Sequence, residues 1–409
     1  MSAIRMRRSR RRLIALLAVP PLLVACGQPG AVSQLVLQAQ AAQLSLSSPA
    51  AGSLPPTGAP IPARALDPAP AGSVAPAEPA PAGSLAPAEP AQPALAPTTG
   101  ITISFAGDVN FAERTADLLT ADPATAFGAA APGLAAADLT VVNLETAITT
   151  GGIAEPKSFT FRAPPTALAA LKSAGIDVAS MANNHGADYG EAGLLDTVAA
   201  IAASGFPVIG IGADDAVATA PYRTTIKGVE VAIFAASQVQ DRTLLTWTAT
   251  ADRPGIANAF DPRLLENVRA AAAAGTTVIV FLHWGTEYDS CPDGNQQQLA
   301  AELAAAGATA VVGAHAHVLQ GAGWRPDGVY VAYGLSNYLW WRSFGNEQDD
   351  NGVLTLKIEG NKVIGDHFAP SHLADDGVPM PAIGGQADRI NADWEQVRRC
   401  AELADTPPA

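Results

Sequence analysis

Four of the chain's six histidines, His185, His283, His315 and His317, stand in short polar clusters, each of which follows an apolar run. Asp108, Asn110, Glu145 and Asn184 occupy clusters of the same kind. Imidazole, carboxylate and amide oxygen together are donors suited to Zn, Mn, Fe and similar divalent ions. His315-Ala316-His317 lets two imidazoles of one loop converge on one site. A carboxylate shared between ions allows two metals about 3.5–4 Å apart. No Cys takes part, which argues against a structural zinc site. The chemistry this set suits is metal-assisted attack on a phosphorus or an amide carbon.

Such residues must be positioned by elements, and the pattern predicts which. Apolar strands at Ile101–Ala106, Leu139–Val142, Val178–Met181, Thr277–Leu282 and Ala310–Val312 run respectively into Gly107-Asp108-Val109-Asn110, Asn143-Leu144-Glu145, Asn183-Asn184-His185, His283-Trp284-Gly285 and Gly313-Ala314-His315-Ala316-His317. Further strands are predicted at Val208–Ile211, Val229–Ala235, Val329–Ala332 and Gly352–Ile358, and helices at Pro165–Ala174, Gly193–Ser204 and Gln296–Ala306. Unbroken apolar runs mark strands covered on both faces, and their alternation with helices gives an α/β architecture. In such folds ligands gather beyond the carboxyl ends of the strands, where every polar cluster here begins. Each cluster alone has a plainer reading: Asp108 as a helix cap, Glu145 as a surface acid, Asn183-Asn184-His185 as a turn, His283 as a core histidine.

The flanks have another character. About half of the 33 prolines of the 409-residue chain lie in its first hundred residues. Residues 1–25 join a basic start (Arg5, Arg7, Arg8, Arg10, Arg11, Arg12) to the apolar run Leu13–Val24, as a signal peptide does. That run is too short to span a bilayer, which takes about 20 residues. Leu23-Val24-Ala25-Cys26 resembles a bacterial lipobox, which implies a lipidated Cys26 and an extracytoplasmic, membrane-anchored chain. Residues 26–98 read as a Pro/Ala-rich disordered tether, in which Ala71–Pro81 is nearly repeated as Ala82–Gln92. The net charge of −14 argues against nucleic acid as a partner. Residues 99–365 are predicted to hold the folded domain, and 366–409 a tail with a helix over Ile390–Leu403 packed on it. Cys291 and Cys400, an even pair in an oxidising compartment, are predicted to form a disulfide beside the His283 loop.

The order GD, NLE, NNH, HWG, GAHAH is similar to that of the CapA family, named for poly-γ-glutamate capsule biosynthesis. The resemblance implies a four-layer α/β/β/α sandwich of the metallophosphatase type and one or two divalent metals (Mn, Zn or Fe). It casts Asp108, Asn110, Glu145, Asn184, His283, His315 and His317 as the metal ligands, with Glu145 bridging and His185 as catalytic proton donor. Asn110 stands where the metallophosphatases have His. Ala316 stands where the family usually has Pro, and Tyr333-Gly334-Leu335-Ser336-Asn337 resembles the family's Tyr-Ser-Leu-Gly-Asn with Ser and Gly exchanged. Arg114 is a candidate to bind an anionic group, or alternatively to pair with Glu113 or Asp117. Glu287, Tyr288, Tyr333 and Asn337 are candidates to line the substrate pocket, or alternatively to pack and hydrogen-bond within their loops. The resulting expectation is a membrane-anchored, metal-dependent hydrolase of phosphoesters or γ-glutamyl amides in cell-surface polymer biosynthesis. The alternative is a noncatalytic capsule or wall assembly component that keeps the metal fold as a platform for partners.

Overall fold

The computed structural model describes residues 100–408. The expected leader 1–25, Cys26 and the tether 26–98 lie outside the described residues, apart from which the chain folds as follows. The principal strands are β1 Ile101–Val109, β2 Leu139–Leu144, β3 Val178–Ser180, β4 Val208–Ile209, β5 Tyr222–Ile226, β6 Val229–Ser237, β7 Thr277–His283, β8 Ala310–Ala314, β9 Ala322–Trp324, β10 Tyr330–Ala332, β11 Asn337–Leu339, β12 Asp350–Glu359, β13 Lys362–Leu373 and β14 Pro379–Pro381. The principal helices are α1 Thr166–Ser173, α2 Gly190–Ser204, α3 Pro262–Ala273, α4 Gly294–Ala305 and α5 Gly385–Cys400.

Two sheets result. The first has the order β14-β13-β12-β1-β2-β3-β4, with β11 taking up the end of β1 at Asp108. The second has the order β9-β10-β8-β7-β6-β5. In both, the central strands run parallel: β1 to β4 in one, β6, β7, β8 and β10 in the other. The facing sides share one core. Ile101, Ile103 and Phe105 of β1 and Leu354, Leu356 and Ile358 of β12 pack with Ile233 of β6 and Ile279 and Phe281 of β7. The Phe105 and Phe281 rings meet across it at 6.3 Å, and each fully buried ring contributes about 1.5–3 kcal/mol. On the outer face of the first sheet, Val142 and Ala179 pack with Leu168 and Leu171 of α1 and Leu194 of α2. Leu264 and Val268 of α3 and Leu299 and Leu303 of α4 join the core on the second sheet. The layers are α/β/β/α.

Local signals set the helix ends. Asp293 and Gln296 form a capping box at the start of α4, and α2 stops at Gly205, whose φ is +64°. The helix α3, not anticipated from the sequence, begins on Asp261, whose side chain accepts from Arg263 N–H, with Pro262 in the first turn. The predicted strand Val208–Ile211 is broken into two short pieces at Gly210, whose φ is +82°. The expected domain edge at 365 falls inside β13, which continues the sheet to Leu373. The reason is that β13 pairs with β12 along its whole length, so the ladder does not stop at Gly365. Beyond it α5 packs Trp394 flat on Phe368 of β13, at 4.1 Å.

Cys291 and Cys400 are bonded, with Cα atoms 5.7 Å apart and a sequence separation of 109. The bond ties the end of α5 to the loop that follows β7. A loop of that length gives about 2–4 kcal/mol of stabilisation. Cys400→Ser is expected to lower the unfolding free energy by that amount in urea denaturation under oxidising conditions, and to leave a reduced sample's stability unchanged.

Candidate metal centre

The central strands end at one place. Asp108 on β1 is in register with Asn143 on β2 and Asn337 on β11, and Glu145 follows β2 directly. His283 closes β7 opposite Ala314, one residue before His315. Asn184 and His185 follow β3. The side chains of Asp108, Glu145, Asn184, His185, His283, His315 and His317 are all buried.

Close backbone approach makes this convergence possible. A Cβ on Gly107 would lie 1.9 Å from the Ser336 carbonyl oxygen, so only glycine lets Asp108 N–H reach that oxygen, at 2.9 Å. A Cβ on Gly313 would lie 2.0 Å from Trp284 Nε1, which donates to the Tyr333 carbonyl at 2.7 Å. Non-glycine residues with positive φ gather in the same loops: Tyr288 at +66°, His315 at +99°, His317 at +56° and Ser336 at +62°. Strained backbone of this kind persists where the surrounding structure over-determines it.

Three sets of ligand atoms lie within 4.8 Å of one another: Glu145, His283 and His315; Asp108, Glu145 and His317; and Glu287, His315 and His317. Glu145 is common to the first two. Its Oε1 is buried and receives no hydrogen bond, and His315 Nδ1 is likewise without a partner. His185 Nε2 lies 3.7 Å and His283 Nε2 3.8 Å from Glu145 Oε1. A buried carboxylate oxygen without a donor is costly, and a cation removes the cost. Burial, and then the neighbouring Asp108 carboxylate, push Glu145 well above the usual carboxylate range. Burial, reinforced by the neighbouring imidazoles, pushes His283 and His315 well below the usual histidine range. They are therefore neutral and offer lone pairs, the form that binds metal. Orphaned oxygen, orphaned nitrogen and donor set all fit a divalent cation.

Supporting residues hold these groups. Asn143 donates to Asp108 Oδ1 at 2.8 Å and stands 3.2 Å from His283 Nδ1, and its own oxygen accepts from Asn183 at 3.1 Å. Asn184 Oδ1 meets His283 Nε2 at 2.9 Å. His317 Nδ1 lies 2.8 Å from Asn337 Oδ1 and 3.2 Å from Asp108 Oδ2. Both are acceptors, which places the proton on Nδ1 and leaves the Nε2 lone pair available. His185 Nδ1 lies 2.6 Å from Asp188 Oδ2, and Asp188 also accepts from Lys157 Nζ at 2.8 Å and Phe161 N–H at 2.7 Å. Burial lowers the His185 pKa against the opposing pull of Asp188.

Several sequence-based assignments need correction. Asn110 does not offer its amide to the cluster: Oδ1 accepts from Ala112 N–H and Nδ2 donates to the Glu145 carbonyl, both at 2.8 Å, so it clamps the backbone that carries Glu145. Arg114 faces neither the cluster nor Glu113 and Asp117. Its guanidinium donates to the carbonyls of Asp375, at 2.5 Å, and Trp340, which joins the sheet edge to the site loops. Tyr333 is a core residue stacked on Trp284 at 5.6 Å. Asn337 is fully buried behind His317 and positions it instead of meeting substrate. Glu287 and Tyr288 do stand at the exposed mouth, and Glu287 is near enough to His315 and His317 to share a cation with them. Sequence reasoning missed Asn143, Lys157, Asn183 and Asp188. Asn143 and Glu145 share a strand-end spacing of two, and Asp188 is three residues beyond His185, so these had a local signal; Lys157 had none.

The family model described as "Bacterial capsule synthesis protein PGA_cap" matches residues 102–340, more than half of the chain. The "Capsule biosynthesis protein CapA" of Bacillus anthracis is 30% identical over 202 residues, covering 46% of this chain and 48% of its own length. The "PGA biosynthesis protein CapA" of Bacillus subtilis is 31% identical over 185 residues, 44% of this chain and 46% of its own. The chain thus spans about half the length of the curated relatives it matches. A solved structure of a novel phosphatase from Mycoplasma pneumoniae superposes with a TM-score of 0.44 at 15% identity, over 68% of this chain and 95% of that one.

Three outcomes follow from the geometry. Mn or Zn at a hundred times its dissociation constant is expected to add about 2.7 kcal/mol of stability, read as a rise in melting temperature that excess EDTA reverses. Glu145→Gln is expected to melt no lower than the metal-free parent, since it removes a buried charge, yet to lose the metal response. Ser336→Gly, which relieves the positive φ and a buried hydroxyl without a partner, is expected to gain about 0.5–1 kcal/mol in urea denaturation.

Proposed function

The chain belongs to the PGA_cap family of bacterial capsule synthesis proteins, and from that premise we propose that it is a divalent-metal-dependent hydrolase of a cell-surface polymer or its precursor. The bond attacked is a phosphoester or a γ-glutamyl amide, and the polymer is of the poly-γ-glutamate type. The observation that carries this reading is the pairing of His185 with Asp188 beside the orphaned Glu145 oxygen. Asp108, Glu145, Asn184, His283, His315 and His317 would hold the cation. When bound, it supplies a Lewis acid that polarises the scissile group and makes water a better nucleophile.

The protein's own residues do the rest. Asp188 holds the proton on His185 Nδ1 and fixes the ring, stacked at 4.4 Å against Phe161, with Nε2 toward Glu145. A proton carried on Nε2 passes to the oxygen or nitrogen that leaves as water adds across the bond. Lys157, bonded to Asp188 and to the Asn184 carbonyl, fixes the loop that carries the histidine. Asn143 and Asn337 orient the cluster from behind. The reading includes an extracytoplasmic chain anchored through lipid on Cys26, which meets polymer and capsule-assembly partners at the cell surface.

The test is turnover of bis(p-nitrophenyl) phosphate and of γ-glutamyl p-nitroanilide by protein loaded with Mn or Zn. His185→Ala is expected to lower kcat by about 10²–10⁴ while retaining metal by elemental analysis. His317→Ala is expected to lose both. A metal-loaded protein inert toward both probes would instead be a binding platform, and the hydrolase reading would fall.

A further inference from the structure

An aromatic wall leads out of the metal centre. Phe161 lies 4.4 Å from the His185 ring and 5.8 Å from Trp341, and Trp340 lies 4.9 Å from His317. Phe159, half exposed, continues the wall at 5.9 Å from Trp341. On it sits Arg342, whose guanidinium carbon is 4.4 Å from the Phe344 ring, 5.0 Å from Trp341 and 5.6 Å from Phe159. Its Nη2 donates to Tyr288 Oη at 3.2 Å, and the Tyr288 ring stands 6.1 Å from His317.

Its place on this wall beside Tyr288 and His317 distinguishes this arginine, and two further features, which Arg253 shares away from the wall, bear on what it can bind. Arg263, Arg389 and Arg398 are paired with carboxylates, and Arg114 is spent on carbonyls. Among the described residues Arg342 has no ion pair, although the chain carries a net charge of −14. In addition, Arg342 Nε and the neighbouring Trp341 Nε1 are buried without an acceptor. Buried donors that lack a partner lose free energy until an acceptor arrives. A guanidinium held flat on aromatic rings keeps its fork in one orientation and binds carboxylate or phosphate in a bidentate manner.

We propose that Arg342, with Trp341 Nε1 and the shelf of Phe159, Trp341 and Phe344, is the subsite that receives a negatively charged group of the substrate, either carboxylate or phosphate, next to the metal centre. The methylene stems of an acidic chain lie along the shelf while its anionic group meets the arginine. This rests on the reading of the site as one that takes a polymer or its precursor, and it names the substrate class: an anion whose charge is set off from the reacting bond. It also answers how so acidic a protein accepts an acidic chain, since one unpaired cation is placed where the ligand passes.

The experiment is calorimetric titration of metal-loaded protein with three probes: a γ-glutamyl decamer, its side-chain methyl ester, and glycerol 3-phosphate. Arg342→Met is expected to weaken the decamer or the phosphate at least tenfold and to leave the ester within twofold, and whichever anion shows the loss identifies the source. Arg342→Lys, which keeps the charge without the fork, is expected to recover part of the loss, and Tyr288→Phe to weaken the anion a few-fold. Melting temperature and metal content establish that each variant is folded. Anion binding unaltered in Arg342→Met, an equal loss for the ester, or no anion binding by the parent would each overturn the proposal. Arginine-dependent anion binding by a protein that turns nothing over would sink the hydrolase reading and leave this subsite standing.

Discussion

A pair of carboxylates, Asp108 and Glu145, is held in a dry cleft with one oxygen of Glu145 unbonded. Like charges this close, out of water, cannot both stay ionised without a countercharge. Burial, reinforced by neighbouring imidazoles, pushes His283 and His315 well below the usual histidine range, so these two do not supply it. A divalent cation does, and much of the surrounding structure is arranged so that the requirement is met by an ion and not by water or a lysine. Lys157, the near cation, is already committed to Asp188 and the Asn184 carbonyl.

The two-sheet architecture explains how such a cleft is made. Parallel strands covered on both faces are stiff, and their carboxyl ends aim short loops at one point. The loops approach so closely that Gly107 and Gly313 have no room for a side chain. Where the chain must turn with positive φ and glycine is absent, His315, His317 and Ser336 take the strain. That strain is sustained by the sandwich core and by clamps such as Asn110 and Arg114, which were expected to do chemistry and instead brace the loops that do. The disulfide and the Gln296–Gln320 bond, at 2.8 Å, tie the loop bearing Glu287 and Tyr288 to the rest of the domain.

Charge is distributed to the same end. The protein is strongly acidic, its ligand cluster holds two carboxylates, and Arg114 is spent on backbone carbonyls. Against that background the half-buried Arg342 on its aromatic shelf is a cation without an ion pair beside the cleft, and it stands at the mouth, where it does not compete for the metal.

Strand and helix positions were legible in the residues because unbroken apolar runs ending in Gly or polar clusters have few other solutions. So was the cluster Asp108, Glu145, Asn184, His283, His315 and His317, since strand-end placement in an α/β chain implies convergence. The helix Pro262–Ala273 escaped although Asp261-Pro262 marks its start, and β13 escaped because its alternating, half-exposed pattern is weak. What the linear order could not decide is which polar side chains face the cleft and which are used up by backbone. Asn110, Arg114, Tyr333 and Asn337 have the right types in the right loops, yet each is turned to a carbonyl, an N–H, a ring or another ligand. Lys157 and Arg342 reach the site across tens of residues of chain. Such choices depend on where distant loops leave unsatisfied donors and acceptors, and those exist only once the two sheets have closed on each other.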